Sequence, residues 1–439
     1  MLLAMRRDPA LWLLVAILAA HGAIVLTHYR HPLISDEFYY VAKARYIVER
    51  HRFMPIDPHA AAAEHGQEWG NSDWRPPGYA LVVAALSLGD FSDPAGALRF
   101  RVTLAQFLMV AAALLALYRA AVQAGVDGRA RYAAAILLGL PPWTFGVVNE
   151  IGPDPENLAL AAFALLALGR NRIVLGTFLL TLTLFFRPEM IVLPPIIVGI
   201  ALLPWRRPAF VRDAAAAAAV YLLLVGAQVG YRTAFTGRPG VFGGLHIYNR
   251  GAFDWANAWL GSEKETYDFV YTIGEGRPAR VPERAFDSAA ERAAVERIVA
   301  RIADRGRYTA EDDAAFEALA RQKRREHPLR VLLLRGWHAV HLWLNVETNN
   351  PLLGAMAGVP RPLRLPVWGA LFLLRIAALG LAVIALVRRR DRLVLLMMSY
   401  AVARTVLIGL VLNWNVHRYV LSAWPPVLWC ASMALRSRR

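Results

Sequence analysis

Residues 157–204 read NLALAAFALLALGRNRIVLGTFLLTLTLFFRPEMIVLPPIIVGIALLP, three apolar runs interrupted first by Arg170 and Arg172 and then by Arg187 and Glu189. A helix that is apolar all round has no face to offer water, and closely spaced runs of this kind are those of segments crossing a lipid bilayer. The pattern continues outward in both directions. Further apolar segments occupy 11–27, 102–118, 132–148, 214–231, 366–387, 393–412 and 419–435, which with 157–169, 173–186 and 190–204 makes about ten spans.

The composition agrees. Of 439 residues, 57% are hydrophobic and 19% charged, and the mean hydropathy is +0.37, which excludes an ordinary soluble enzyme. The formal net charge is +16, and all 49 basic residues are arginines except Lys43, Lys264 and Lys323. These charges are scattered between apolar runs, so they suit loops facing anionic lipid and form no nucleic-acid surface. Cys430 is the one cysteine, which leaves no intramolecular disulfide and no cysteine metal site. The run 11–27 follows Arg6 and Arg7. A signal peptide would fit Ala19, Ala20 and Ala23 near its end, but an uncleaved first span is expected because membrane protein follows.

Arginine placement orders the spans. Arg119, Arg129 and Arg131, then Arg170 and Arg172, then Arg206, Arg207 and Arg212, then Arg388–Arg390 and Arg392, and finally Arg436, Arg438 and Arg439 mark the inner loops. Both termini are then cytoplasmic, and 28–101, 149–156, 232–365 and 413–418 face the other side. Residues 76–88 are too short to span comfortably and read as a re-entrant or surface helix. Residues 329–344 carry Arg335, His338 and His341 among leucines and tryptophans, as an interfacial helix does. If both crossed, the count would be twelve.

Three parts follow: a membrane module 1–231 with its outer loop 28–101, a periplasmic or interfacial helical region 232–365, and terminal spans 366–439. Within the middle part, Ser288 with Glu291 and Thr309 with Asp312 read as capping boxes of two amphipathic helices, the second carrying Phe316 and Leu319. The expected fold is an all-α polytopic bundle.

Polar residues suited to chemistry collect on the outer stretches. His31-Pro32-Leu33-Ile34-Ser35-Asp36-Glu37-Phe38-Tyr39-Tyr40 follows the first span. Its acidic pair is either a helix N-terminal cap or a carboxylate, Asp36, held at the membrane surface as a general base. Then come Trp74-Arg75-Pro76-Pro77-Gly78-Tyr79, Arg99 or Arg101 at the lip of the second span, and the acidic stretch Asn149 to Glu156. Phe186-Arg187-Pro188-Glu189 stands between two short spans, and His417-Arg418-Tyr419 precedes Pro425 and Pro426 near the end.

This order and shared sidedness resembles the GT-C superfamily of integral membrane glycosyltransferases, in particular the lipid A aminoarabinose transferases and protein O-mannosyltransferases. The resemblance covers the membrane core along most of the chain, but the large soluble C-terminal modules of that family have no counterpart. It implies a GT-C-like bundle, a polyprenyl-phosphate-linked sugar as donor, an acceptor lipid, glycan or protein, and a periplasmic active site at a bacterial inner membrane. An independent argument agrees: the acidic residues lie outside, away from cytoplasmic nucleotide sugars, and no glycine-rich phosphate loop is present.

On that reading Asp36, Glu37 and Asp154 are the catalytic carboxylates, with Glu37 holding its helix or a cation. Arg75, at the family's basic position before the proline pair, meets the donor phosphate; a snorkelling arginine is its plain alternative. Tyr40, Arg99, Glu156, Arg187, Glu189, Arg418 and Tyr419 complete the substrate site, although Asp154 and Glu156 equally suit a helix cap. A divalent cation is left open, with Asp36 and His246 as candidate ligands. Arg375 and Arg404 lie inside apolar segments and must face the bundle interior. Two rival functions remain: a transporter or flippase for a lipid-linked or anionic solute, which those arginines and the short paired segments favour but the lack of an internal repeat opposes, and a polysaccharide polymerase or ligase sharing the lipid donor.

Overall fold

The computed structural model describes residues 8–33, 36–53, 76–203, 209–236, 250–345, 359–389, 391–411 and 417–436. Among the described residues every regular element is helical, and the chain is an all-α, multi-pass membrane protein. Among the described residues, five helical stretches are long and apolar enough to cross a bilayer: Pro9–Thr27, Pro94–Gln123, Phe210–Ala234, Pro362–Arg388 and Arg392–Leu410.

In chain order the helices are α1 (Pro9–Thr27), α2 (Asp36–Arg50), α3 (Gly78–Ser87), α4 (Arg99–Gln123), α5 (Arg129–Gly139), α6 (Asp154–Gly169), α7 (Ile173–Leu182) and α8 (Leu193–Leu202). They continue with α9 (Phe210–Thr236), α10 (Arg250–Ala256), α11 (Ala289–Arg305), α12 (Ala310–Glu326), α13 (Pro328–Leu344), α14 (Arg361–Arg388), α15 (Arg392–Thr405) and α16 (Trp424–Ala434). Two compact units result, one of Met1–Phe242, Val346–Ala403 and Leu421–Arg439, the other of Gly243–Asn345 with Arg404–Val420.

Prolines shorten several of the apolar segments. A proline has no N–H to donate and starts helices better than it continues them. So 132–148 becomes α5, ending at Gly139, and a 3₁₀ turn Pro142–Phe145. Segment 190–204 becomes a turn Pro188–Val192 and then α8, with prolines in its first turn. Segment 419–435 likewise becomes a turn His417–Ala423 followed by α16, which opens on Pro425 and Pro426.

In the first unit α1 is capped by Asp8, whose carboxylate accepts from the amides of Ala10 and Leu11. The same carboxylate accepts from the Tyr118 hydroxyl of α4 at 3.0 Å and lies 3.7 Å from Arg131 of α5, tying three helices at one end. Helices α2 and α3 pack on each other. A core of Tyr40, Val41 and Ala44 from α2 meets Tyr79 and Val83 from α3, with Leu98, Val102, Ile151 and Phe186 closing it. Gly78 allows this approach: a Cβ there would stand 2.5 Å from the carbonyl oxygen of Phe185. Arg375 of α14 is fully buried, with its guanidinium 4.6 Å from the Trp143 ring centre and 5.4 Å from that of Trp424. Stacking on aromatic faces suits an arginine at membrane depth.

The second unit has its own aromatic core, in which Trp255, Phe269 and Phe316 pack with Val295, Ile298 and Ile302. The capping box at Thr309 and Asp312 is complete. The one expected at Ser288 is half formed. Ser288 accepts from the Glu291 amide, but the Glu291 carboxylate accepts from the Asp287 amide and the Trp255 indole instead.

Candidate functional site

The site grows from a single buried arginine. Arg99 opens α4, is 0% exposed, and needs acceptors for its five donors. Glu37, in the first turn of α2, supplies both carboxylate oxygens, each 2.7 Å from a guanidinium nitrogen. Nη1 also donates to the carbonyl of Asn149 at 3.0 Å, and Nη2 to that of Pro32 at 3.3 Å. Glu37 Oε1 further accepts from the Ile151 amide at 2.9 Å. One ion pair thus fastens the segment after α1, the start of α2, the start of α4 and the loop before α6.

His31 completes the contact set. Its Nε2 stands 2.9 Å from Arg99 Nη1. Since a guanidinium only donates, Nε2 accepts, and the ring proton sits on Nδ1, 3.0 Å from the Pro32 carbonyl.

A second pair lies along the same loop. Arg187, held extended between two 3₁₀ turns, grips Asp154 of the first turn of α6: Nη2 is 2.6 Å from each carboxylate oxygen and Nε is 3.0 Å from Oδ1. Both side chains are 9% exposed. Glu189, which follows Arg187 across the proline, is buried in the same turn, and the carboxylate that Arg187 chelates comes from another helix. Arginine's planar fork makes such two-point contacts with carboxylates and so fixes orientation as well as charge.

Between the two pairs lies a polar seam. Gln106 of α4 donates to the Tyr79 hydroxyl at 2.7 Å and to the Gly152 carbonyl at 2.8 Å, and Tyr40 stacks edge-on against Tyr79 with ring centres 4.7 Å apart. Glu156 precedes the apolar run 157–169 and is almost wholly buried. Among the described residues no donor meets either of its oxygens in hydrogen-bonding geometry. Burial pushes its carboxyl up to about 8, with the charge of Asp154 adding to the rise and its own backbone amide and Gln106 opposing it. Asn157 beside it is also buried, with both side-chain polar atoms unpartnered among the described residues.

The expected site residues thus divide. Glu37, Tyr40, Arg99, Asp154, Glu156, Arg187 and Glu189 belong to the first unit, and contacts knit the first four and Arg187 around Tyr79 and the loop 149–154. Arg418 and Tyr419 belong to the second unit, where the guanidinium lies 5.5 Å from the Tyr419 ring centre. Asp36 starts α2, but its side chain, like Arg75 and His246 entirely, lies outside the described residues. Among the described residues no three His, Cys, Asp or Glu side chains gather as a metal would need. His31, Gln106 and Tyr79 are participants that the sequence reading did not assign. A lone amide inside the apolar segment 102–118 was the signal for Gln106, because an amide at that depth needs partners.

No family model matches the chain, and no curated protein matches it. Two solved structures are similar to it: the crystal structures of ArnT from Cupriavidus metallidurans, one bound to undecaprenyl phosphate and the other in the apo state. Each alignment covers 96% of this chain and 76% of the other at 14% identity, with a TM-score of 0.39.

Proposed function

We propose that this chain is a GT-C-type glycosyltransferase that moves one sugar from a polyprenyl-phosphate carrier to an acceptor lipid, glycan or protein at the periplasmic face of a bacterial inner membrane. The observation that carries the reading is the division of labour among the carboxylates. Glu37 and Asp154 are each engaged by an arginine fork, which makes them positioning residues. Asp36, one residue from Glu37 on an anchored helix, is the carboxylate this reading assigns to proton transfer.

In the proposed reaction Asp36 takes the proton from the acceptor hydroxyl, whose oxygen attacks the anomeric carbon of the donor. The new carbon–oxygen bond forms as the bond to phosphate breaks on the opposite side, so the configuration inverts. Arg75 meets the charge on the departing polyprenyl phosphate. Glu156 and Asn157, buried and short of partners, bind hydroxyl groups of the sugar. The carrier's tail stays in a groove between spans, because each CH₂ lifted from the bilayer costs about 0.8 kcal/mol.

The test is transfer from a pool of radiolabelled polyprenyl-phosphate sugars in membranes, with wild type and Asp36→Asn at matched expression. Label should move with the wild type, and the substitution should lower the rate by at least about 100-fold. Undiminished transfer by Asp36→Asn would remove that carboxylate from the chemistry.

A further inference from the structure

Away from the site just described, the first unit carries a groove between α7 and α9 with a volume of about 610 Å³, within the range of about 300–1,000 Å³ usual for small-molecule sites. Its walls are Ile173, Val174, Leu175 and Phe178 of α7 and Val220 of α9. Its cause is visible in the sequence. The run Ala214–Ala219 precedes Val220, so the second and third turns of α9 bring almost no side-chain bulk toward α7. The walls are open, with Val174, Leu175 and Phe178 each more than 40% exposed.

The mouth of the groove is polar and predominantly basic. Asn171, Arg172 and Asp213 line it. Arg212 offsets the charge of Asp213 at 3.3 Å, and Asn171 is held by Arg392. Arg172 is exposed and has no ion-pair partner among the described residues. Helix α7 starts directly after Arg172 with no side-chain cap on its first amides, and α9 starts nearby at Phe210, so two helix N-termini add partial positive charge at this end. Arg170, also exposed, stands two residues before Arg172.

We propose that this groove is a binding site for an anionic glycerophospholipid, with its phosphate at Arg172 and the first turn of α7 and one acyl chain along Phe178 and Val220. Charge decides the occupant. A zwitterionic head would bring its own cation to an arginine-rich mouth, whereas an anionic head leaves Arg172 neutralised, and basic pockets between membrane helices recognise anionic heads in this way. The site is independent of the transferase reading and uses none of its residues.

Native mass spectrometry of the full chain in detergent tests this, with phosphatidylglycerol and phosphatidylcholine of the same acyl length titrated separately. Wild type should bind one phosphatidylglycerol in preference to phosphatidylcholine. Arg172→Gln should weaken that binding about five-fold, one surface charge near an anionic lipid being worth about 1 kcal/mol, and leave phosphatidylcholine unchanged. Val174→Trp, which fills an exposed wall, should abolish the bound lipid, while Arg129→Gln in another loop should change nothing. Equal binding of both lipids, or an unaltered Arg172→Gln, would overturn the site. Displacement of phosphatidylglycerol by a lower concentration of undecaprenyl phosphate would overturn the choice of glycerophospholipid.

Discussion

Asp312 of the second unit and the carboxylates Glu37 and Asp154 of the first are buried alike but wired in opposite ways. In the second unit Asp312 is fully buried, and its oxygens are met by Thr309 three residues back, Arg305 seven back and Arg301 eleven back. All lie within one helix pair. In the first unit Glu37 finds Arg99 at a separation of 62 residues, and Asp154 finds Arg187 at 33. Local pairs stabilise a helix end that would largely form anyway, whereas distant pairs decide how helices are placed. Where the surroundings are apolar, no water competes for the carboxylate, and the partner must be supplied by another part of the chain.

The largest effect should come from breaking a distant pair. Arg99→Ala leaves Glu37 buried without its cation and should cost about 3–5 kcal/mol; thermal unfolding in detergent would record this, and Glu37→Leu/Arg99→Leu together should cost less than Arg99→Ala alone. A double variant as unstable as the single would mean that Arg99 acts through the carbonyls of Pro32 and Asn149 and not through Glu37. Next is Arg187→Lys, which keeps the charge but loses the fork. Stability should fall by about 2 kcal/mol and transfer should slow, since α6 then loses its fixed orientation.

The networks of the second unit should respond less. Burial alone would push the Asp287 carboxyl up, but Lys323 at 2.5 Å and Arg330 at 2.6 Å outweigh it and hold it below the usual aspartate range. An acid lowered in the fold stabilises at pH values above its unfolded value, and that stabilisation is lost as the pH falls through the folded one. Amide exchange in α12 should therefore quicken on acidification below about pH 4, and Asp287→Asn should remove this dependence at a cost of about 1 kcal/mol at neutral pH. Thr309→Ala, which removes one half of a capping box, should cost about 0.5–1 kcal/mol and show only in the first turn of α12. Exchange quickening throughout the second unit would mean that the local pairs also organise its tertiary packing.

This contrast also explains what the sequence makes legible. Apolar runs announce the helices because a bilayer imposes length and composition residue by residue, and Thr309 with Asp312 announces a cap because both partners sit in one turn. The breaks at Pro141–Pro142 and before Pro425–Pro426 were visible as prolines, though the segments read as continuous spans. The partners of Glu37 and Asp154 were not legible as partners. All four residues stood out as polar groups in an apolar chain, but pairing across 33 or 62 positions is a property of the packed bundle and no spacing encodes it. The fork between Arg187 and Asp154, where the turn itself offered Glu189, is the plainest instance.

The most direct test of the account compares two adjacent carboxylates. Asp36→Asn and Glu37→Gln should be measured side by side for transfer rate and for unfolding temperature in the same detergent. The account predicts that Asp36→Asn abolishes transfer with the unfolding temperature unchanged, while Glu37→Gln lowers the unfolding temperature by several degrees, as the loss of a buried partner requires. If instead Asp36→Asn unfolds the protein and Glu37→Gln leaves it stable but inactive, the roles of base and anchor are reversed and the proposed mechanism is contradicted.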